Sequence, residues 1–391
     1  MMRRNSTTPS PTLTLPGSLF SHQGEKGRSF LLFLTPRPMG EGGERSEPGE
    51  GLRLAGPRRN LARKPTCLLT ILLALVAVAL VAPTLWATAQ SASADEPMKS
   101  LAMEGINQMM NGDLESAIAT FQRVQKEDPS SPLGYLLEAD ATWWKIYYTT
   151  ANLIDPDVFD VVYSDSTPED SQFENLISTT IEKAKARIHQ QQDVARSYLY
   201  EGMAYALEAR LDGLRAKDLP TARAGKRMRS LLLTALEHDP HLTDAYAGIG
   251  LYNYFVDTLP SIVKMLRFLI GLPGGSREEG LQQLRRAAQH GEYTRAEAKF
   301  YLAKDFTRRN EMQFGKSLQL FQELAREFPE NPFWKLMVAS VYMRLGQRQK
   351  GEEMYRQVLA ETAHSKLIAG QAVHKQVAQA LERLHPGEKF E

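Results

Sequence analysis

The sequence predicts an all-α fold: a right-handed α-α superhelix of about six stacked helical hairpins, closed by a C-terminal capping helix. Three observations carry the prediction. From Met98 onward, apolar residues recur at spacings of three and four, and no run alternates convincingly at two. Small, aromatic and proline landmarks repeat at matching offsets along the chain. Two units near the C-terminal end begin at Ala298 and Pro332, one helical-hairpin repeat of about 34 residues apart.

The chain opens with two segments of another kind. Residues 1–60 hold seven of the 21 prolines and nine of the 27 glycines and show no sustained apolar period. Such a segment buries too little surface to offset its ordering entropy. We read 1–57 as a disordered extension; one account of it is a start codon placed too far upstream, with Met39 an alternative start. Residues 58–94 read as a secretory signal: Arg58, Arg59, Arg63 and Lys64 precede the apolar run from Cys67 to Ala82, and small-residue sites follow at Ala87–Ala89 and Ala92–Ala94. The alternative is an uncleaved signal anchor, although the run is shorter than the ~20 residues that span a bilayer. The mature chain, 95–391, is therefore expected to be exported, periplasmic or otherwise extracytoplasmic, and membrane-anchored if the signal stays in place.

Removing 1–94 changes the charge. The whole chain carries +1, from 47 Lys and Arg against 46 Asp and Glu; 95–391 keeps 36 against 41, near −5. That balance excludes a polybasic grip on nucleic acid. The single cysteine excludes a disulfide framework and a Cys-based zinc site.

The hairpins follow in order. In 98–131, Gly105, Gly112, Ala117, Phe121 and Pro129 stand at offsets 0, 7, 12, 16 and 24, the positions of a tetratricopeptide repeat. In 132–190, a first helix from Pro132 to Asn152 and an acidic loop from Asp155 to Ser166 precede Thr167-Pro168-Glu169-Asp170, which caps a second helix to about His189. In 192–240, Gly202 and Tyr205 mark the first helix and Leu232, Ala235 and Pro240 the second. The stretch from Gly202 to Pro240 is more than half as long again as that from Gly105 to Pro129, so this hairpin carries an insertion. In 241–292, the step from Gly248 to Gly280 is more than twice the equivalent step from Gly105 to Ala117. Ser317, Phe321, Leu324 and Pro329 close 298–331; Tyr342, Gly346, Gly351, Tyr355 and Val358 mark 332–363. A helix over 366–384 shields the last apolar face from water.

The insertion in the fourth hairpin carries a family resemblance. Gly250-Leu-Tyr-Asn-Tyr-Phe-Val-Asp-Thr-Leu-Pro260, then Lys264 to Pro273, then Gly274-Gly-Ser-Arg-Glu-Glu-Gly-Leu281 resembles the insertion of the inclusion-body-clearance (Iml-type) tetratricopeptide family. Gly275-Ser276-Arg277 stands where that family has a Gly-Asp-Arg-like turn. The resemblance covers roughly 98–363 and implies a non-enzymatic repeat scaffold with no catalytic residues to carry over. Within the insertion, Leu259, Ile262, Val263, Leu266, Leu269 and Ile270 form one apolar stripe, and Ser276 with Glu279 forms a capping box. The stripe either packs into the superhelix or meets a membrane surface or partner.

Stacked first helices line a concave groove suited to an extended segment, so candidate ligand contacts are sought there. Trp143, Trp144, Tyr147 and Tyr148 form the densest aromatic cluster; they read either as core or as a groove-facing anchor for a peptide. Asn152 and Tyr205 are further groove candidates. His238 and His241, with Asp239 and Asp244, straddle Pro240 and read as solvated turn residues rather than a zinc site. Arg210, Arg215, Lys217, Arg223, Lys226, Arg227 and Arg229 concentrate positive charge in the third hairpin, as a solvated face, as partners of the Asp155 to Asp170 acids, or as a site for an acidic protein. No catalytic residue, metal ligand or cofactor is predicted, and no metalloprotease, hydrolase-elbow or phosphate-loop motif occurs. The expected function is an exported, non-enzymatic scaffold that binds a protein or peptide in the cell envelope. The alternative is a membrane-peripheral component held by the N-terminal apolar run or the 259–270 helix.

Overall fold

The computed structural model describes residues 97–155, 166–259, 264 and 271–390. The extension 1–57, the signal 58–94, most of the acidic loop and most of the 259–270 stripe lie outside them.

The described residues form thirteen helices and no strand. They are α1 (97–110), α2 (Leu114–Glu127), α3 (Leu133–Thr150), α4 (Pro168–His189), α5 (Val194–Leu214), α6 (Asp218–His238), α7 (Ala245–Thr258), α8 (Arg277–His290), α9 (Arg295–Thr307), α10 (Phe314–Glu327), α11 (Pro332–Arg344), α12 (Arg348–Thr362) and α13 (Ile368–Leu384). Each helix from α2 onward packs against its successor, which makes an array of six hairpins and a closing helix.

Local chemistry sets the boundaries. Gly112 ends the first helix with φ +84°, and Asp113 caps α2 by accepting the Ser116 N–H at 3.1 Å. Thr167 and Asp170 form a reciprocal capping box at α4, with Pro168 at the first helical position. Ser276 accepts the Glu279 N–H at the start of α8, and Asn331 accepts the Phe333 N–H at 3.1 Å before α11.

The insertions take different forms. In the third hairpin α5 and α6 are each 21 residues long, where α2, α7, α8 and α10 have 14. The extra residues therefore lengthen both helices by about two turns, roughly 10 Å each. In the fourth hairpin the added residues fall between Thr258 and Arg277, leaving α7 and α8 at ordinary length.

Small residues let helices cross where landmarks predict it. A Cβ on Gly105 would meet the Phe121 ring at 2.3 Å, so glycine and phenylalanine are complementary halves of one contact. At the α7–α8 crossing the contact is backbone to backbone: a Cβ on Gly280 would lie 2.6 Å from both the Gly250 carbonyl oxygen and the Tyr254 nitrogen. Backbone cannot rotate away as a side chain can. Gly280→Ala should lower the unfolding free energy by about 1–3 kcal/mol, read as a drop in the urea midpoint. Gly315→Ala in α10, where a Cβ meets nothing within 4 Å, should instead raise it by about 0.5–1 kcal/mol. Equal effects at the two sites would contradict the close crossing.

The array closes on itself. Helix ends leave carbonyls without partners in their own helix, and a buried one must be satisfied from elsewhere. The Met110 carbonyl at the end of α1 accepts Trp334 Nε1 and Asn331 Nδ2, each at 2.9 Å, from residues 224 and 221 positions away. Asn331 Nδ2 also donates to the Tyr148 hydroxyl at 2.9 Å. Past the end of α3, Gln376 of α13 donates to the Ala151 carbonyl and accepts the Leu153 N–H, both at 2.8 Å. Arg344 pairs with Asp155 at 2.6 Å. Helix α13 thus packs on α3 as well as on α11 and α12, and the expected terminal cap is a closing piece between the two ends.

Candidate functional site

The first helices are where a groove was expected, and three of them are sealed. Residues 136–144 of α3, 300–307 of α9 and 336–341 of α11 are buried without a break. A helix buried all round presents no face to a ligand.

The aromatic cluster forms the centre of this layer. Trp144, 1% exposed, lies with its ring centroid 5.4 Å from Phe300, 6.0 Å from Trp334 and 6.2 Å from Phe333. Trp143 stacks on Tyr147 at 5.0 Å, and Tyr148 meets Phe333 edge-on at 5.6 Å. Burial pushes the Tyr147 and Tyr148 hydroxyls well above the usual phenol range, so both stay neutral donors or acceptors. Trp143, Trp144, Tyr147 and Tyr148 are core, and the ligand-groove expectation for them is corrected: hairpins 5 and 6 return across the face that an open array would expose.

The other two candidates separate. Asn152 is exposed just beyond α3, where its Oδ1 accepts the Ile154 N–H at 3.1 Å. Tyr205 is buried, with the Arg227 guanidinium 5.5 Å above its ring. Neither shares a cleft with the aromatic cluster through any described contact.

Arg210, from the basic cluster of the third hairpin, joins the aromatic core together with Asp140, Glu297 and Lys304, which the sequence pattern did not single out. Arg210 of α5 donates to Glu297 at 2.8 and 3.0 Å and to Asp140 at 3.3 Å. Its guanidinium lies 4.9 Å from the Tyr301 ring centroid and 5.4 Å from that of Trp143. Trp144 Nε1 donates to the same Glu297 carboxylate at 3.2 Å. One cluster thus ties α3, α5 and α9. Burial works against the Arg210 charge, but Glu297, Tyr301 and Asp140 outweigh it and hold the guanidinium protonated. Burial, with the Glu297 charge beside it, pushes the Asp140 carboxyl well above the usual range despite the pull of Arg210. Lys304, 1% exposed, sits 3.3 Å from the Tyr147 hydroxyl. The available signal was charge inside apolar helices: Asp140 in Leu-Leu-Glu-Ala-Asp-Ala-Thr-Trp-Trp, Glu297 and Lys304 around Phe-Tyr-Leu-Ala.

The basic residues of the third hairpin divide in two. Arg210 belongs to the cluster just described, and Arg215 forms a buried bidentate pair with Asp170 at 2.6 and 2.9 Å. Burial opposes ionisation of Asp170, and the bonds from Arg215 and Thr167 outweigh it, holding its carboxyl below the usual range. Arg223, Lys226 and Arg227 are exposed on α6.

His238 stacks on the Tyr198 ring at 5.5 Å and His241 is exposed. Asp244 is bound elsewhere, accepting the Tyr293 and Thr294 N–H groups at 2.9 Å and the Thr294 hydroxyl at 2.8 Å. Among the described residues no group of three or more His, Cys, Asp or Glu is placed to hold a metal ion, and no helix is long and apolar enough to cross a membrane. A cavity of about 130 Å³ lies among Lys99, Asp128, Arg187, Arg196, Tyr200 and Tyr293. Two of its cations are already paired, Lys99 with Glu292 at 2.9 Å and Arg187 with Asp128 at 3.1 Å.

Comparison with known proteins agrees with this architecture at its first hairpin. Residues 103–131 match the tetratricopeptide repeat family. The match does not extend to 250–281, where the Iml-type resemblance lies. No curated protein matches the chain. The chain is similar to a thermophilic tetratricopeptide protein of Thermus thermophilus, at 14% identity over 63% of this chain and 99% of that one, with a TM-score of 0.36. It is also similar to a chain in the structure of Naa15/Naa10 bound to HypK-THB, at 11% identity over 78% of this chain and 66% of that one, with a TM-score of 0.23. Both likenesses are too remote to bear on function.

Proposed function

We propose that the mature chain is an exported, non-enzymatic scaffold that binds a protein partner on its outer helices. The observation that carries this reading is the sealing of three first helices, α3, α9 and α11: the face that they would offer a peptide in an open repeat array is filled by the chain's own aromatic and charged side chains. The charged outer surface of the second helices is open to a partner. The leader pattern at 58–94 supports export, and the Iml-type resemblance of 250–281 fits a repeat scaffold without catalytic residues.

The test uses the full chain with a C-terminal tag, expressed in a bacterial host. Osmotic shock should release a shortened form whose N-terminal sequence begins after one of the two Ala-x-Ala sites. A native pull-down from that fraction should recover one protein in stoichiometric amount. Retention of the intact chain in the cytoplasm overturns export, and recovery of no specific protein overturns the scaffold.

A further inference from the structure

We propose that the outer face of α6 is the docking surface and that the partner presents an acidic protein segment to it. This rests on the scaffold reading above and names its partner's chemistry. Between Arg215 and Ser230 the chain carries Arg215, Lys217, Arg223, Lys226, Arg227 and Arg229 against Asp218 alone, while 95–391 as a whole is near −5.

The structure separates internal cations from available ones. Arg215 is held by Asp170, and Lys217 lies 3.5 Å from Asp212. Arg223, Lys226 and Arg227 are exposed and form no ion pair among the described residues. Their spacing of three and four places them on one helix face, over a rise of about 6 Å. Arg227 leans over the Tyr205 ring at 5.5 Å, near Glu208, and Arg229 leans over the Tyr252 ring at 5.5 Å. Stacking steadies a guanidinium without using its N–H donors, which leaves them for a carboxylate.

The third-hairpin insertion lengthens α6 by about two turns. Leu219, in the first turn, is 42% exposed, one of two large apolar side chains so exposed among the described residues. A single leucine beside three exposed cations fits a polar interface with one apolar anchor. It is too little apolar surface to enter a bilayer, and the net negative charge of the mature chain opposes a phosphate polymer. An acidic protein segment, pairing carboxylates with the guanidinium forks, is the complementary partner.

The probe is a fluorescein-labelled deca-glutamate peptide, titrated with the mature full-length protein by anisotropy at low salt. Arg223→Gln, Lys226→Gln and Arg227→Gln together should weaken binding about tenfold or more, and added salt should weaken the unmodified protein's binding steeply. Lys366→Gln, Lys375→Gln and Arg383→Gln, three exposed cations removed at the other end of the chain, should change it less than about twofold. Unchanged urea midpoints establish that both triple variants fold. Equal loss in the two variants, or no binding to the unmodified protein, overturns the proposal. So does binding to phosphatidylglycerol vesicles through the α6 cations without binding to the peptide. If the peptide result fails while the native pull-down still recovers its protein, the scaffold stands and the α6 assignment falls.

Discussion

Trp144→Ala should lower the unfolding free energy by about 3–5 kcal/mol, the upper end of the range for a buried aromatic. The side chain is 1% exposed and meets rings from its own helix and from hairpins 5 and 6. Truncation leaves a cavity that neighbours on three rigid helices cannot collapse to fill, and it removes the indole N–H from Glu297. Trp144→Phe keeps an aromatic ring in place but removes the hydrogen bond and part of the indole's packing, so it should cost about 1–2 kcal/mol for the bond plus a smaller packing term. Urea unfolding of the two variants separates these contributions. A Trp144→Ala variant within about 1 kcal/mol of the unmodified protein would mean that the site is open to solvent, as a ligand groove would be.

Arg210→Met should cost about 3–5 kcal/mol, because it leaves Glu297 buried without its cation. Combining it with Glu297→Gln, which keeps an acceptor for Trp144, should recover a large part of that loss; the two changes are then strongly non-additive. The same cluster makes stability depend on pH. Burial and the Glu297 charge raise the Asp140 carboxyl in the folded state, so its contribution is fully present below the unfolded value near pH 4 and is lost as pH rises toward the folded one. Asp140→Asn should therefore stabilise the protein at neutral pH and flatten the pH profile over that window. A profile unchanged by Asp140→Asn would show that the carboxyl is not desolvated as the structure places it.

The hairpins were readable from sequence because their signals are local. Gly105 and Phe121 belong to one hairpin and meet within it; Thr167 and Asp170 form their box within one turn. The lengthened third hairpin was visible as the long stretch from Gly202 to Pro240, although not that both helices would share the excess. The closure was not readable. Met110, Asn331 and Trp334 are ordinary residues for their positions, and nothing within a repeat records a contact made with a partner 221 or 224 positions away. The aromatic cluster was ambiguous for the same reason, since Trp143 to Tyr148 occupy a first helix whether that face is open or covered. Asp140, Glu297 and Lys304 were passed over because charge is ordinarily a mark of the surface. Here the three lie inside because each has partners: Arg210 for the two carboxylates, and the Tyr147 hydroxyl and rings for the lysine.

Native-state hydrogen exchange, followed residue by residue in increasing urea, tests the closed array most directly. In an open stack each hairpin depends only on its neighbours, and the terminal ones fray first. Closure instead predicts that amides at 136–144 of α3, 300–307 of α9 and 336–341 of α11 open together, with free energies equal to within about 1 kcal/mol and matching global unfolding. Exchange of the α3 amides through an opening several kcal/mol below that of α9 and α11 would show that the two ends are not joined, and the first-helix face would again be a groove.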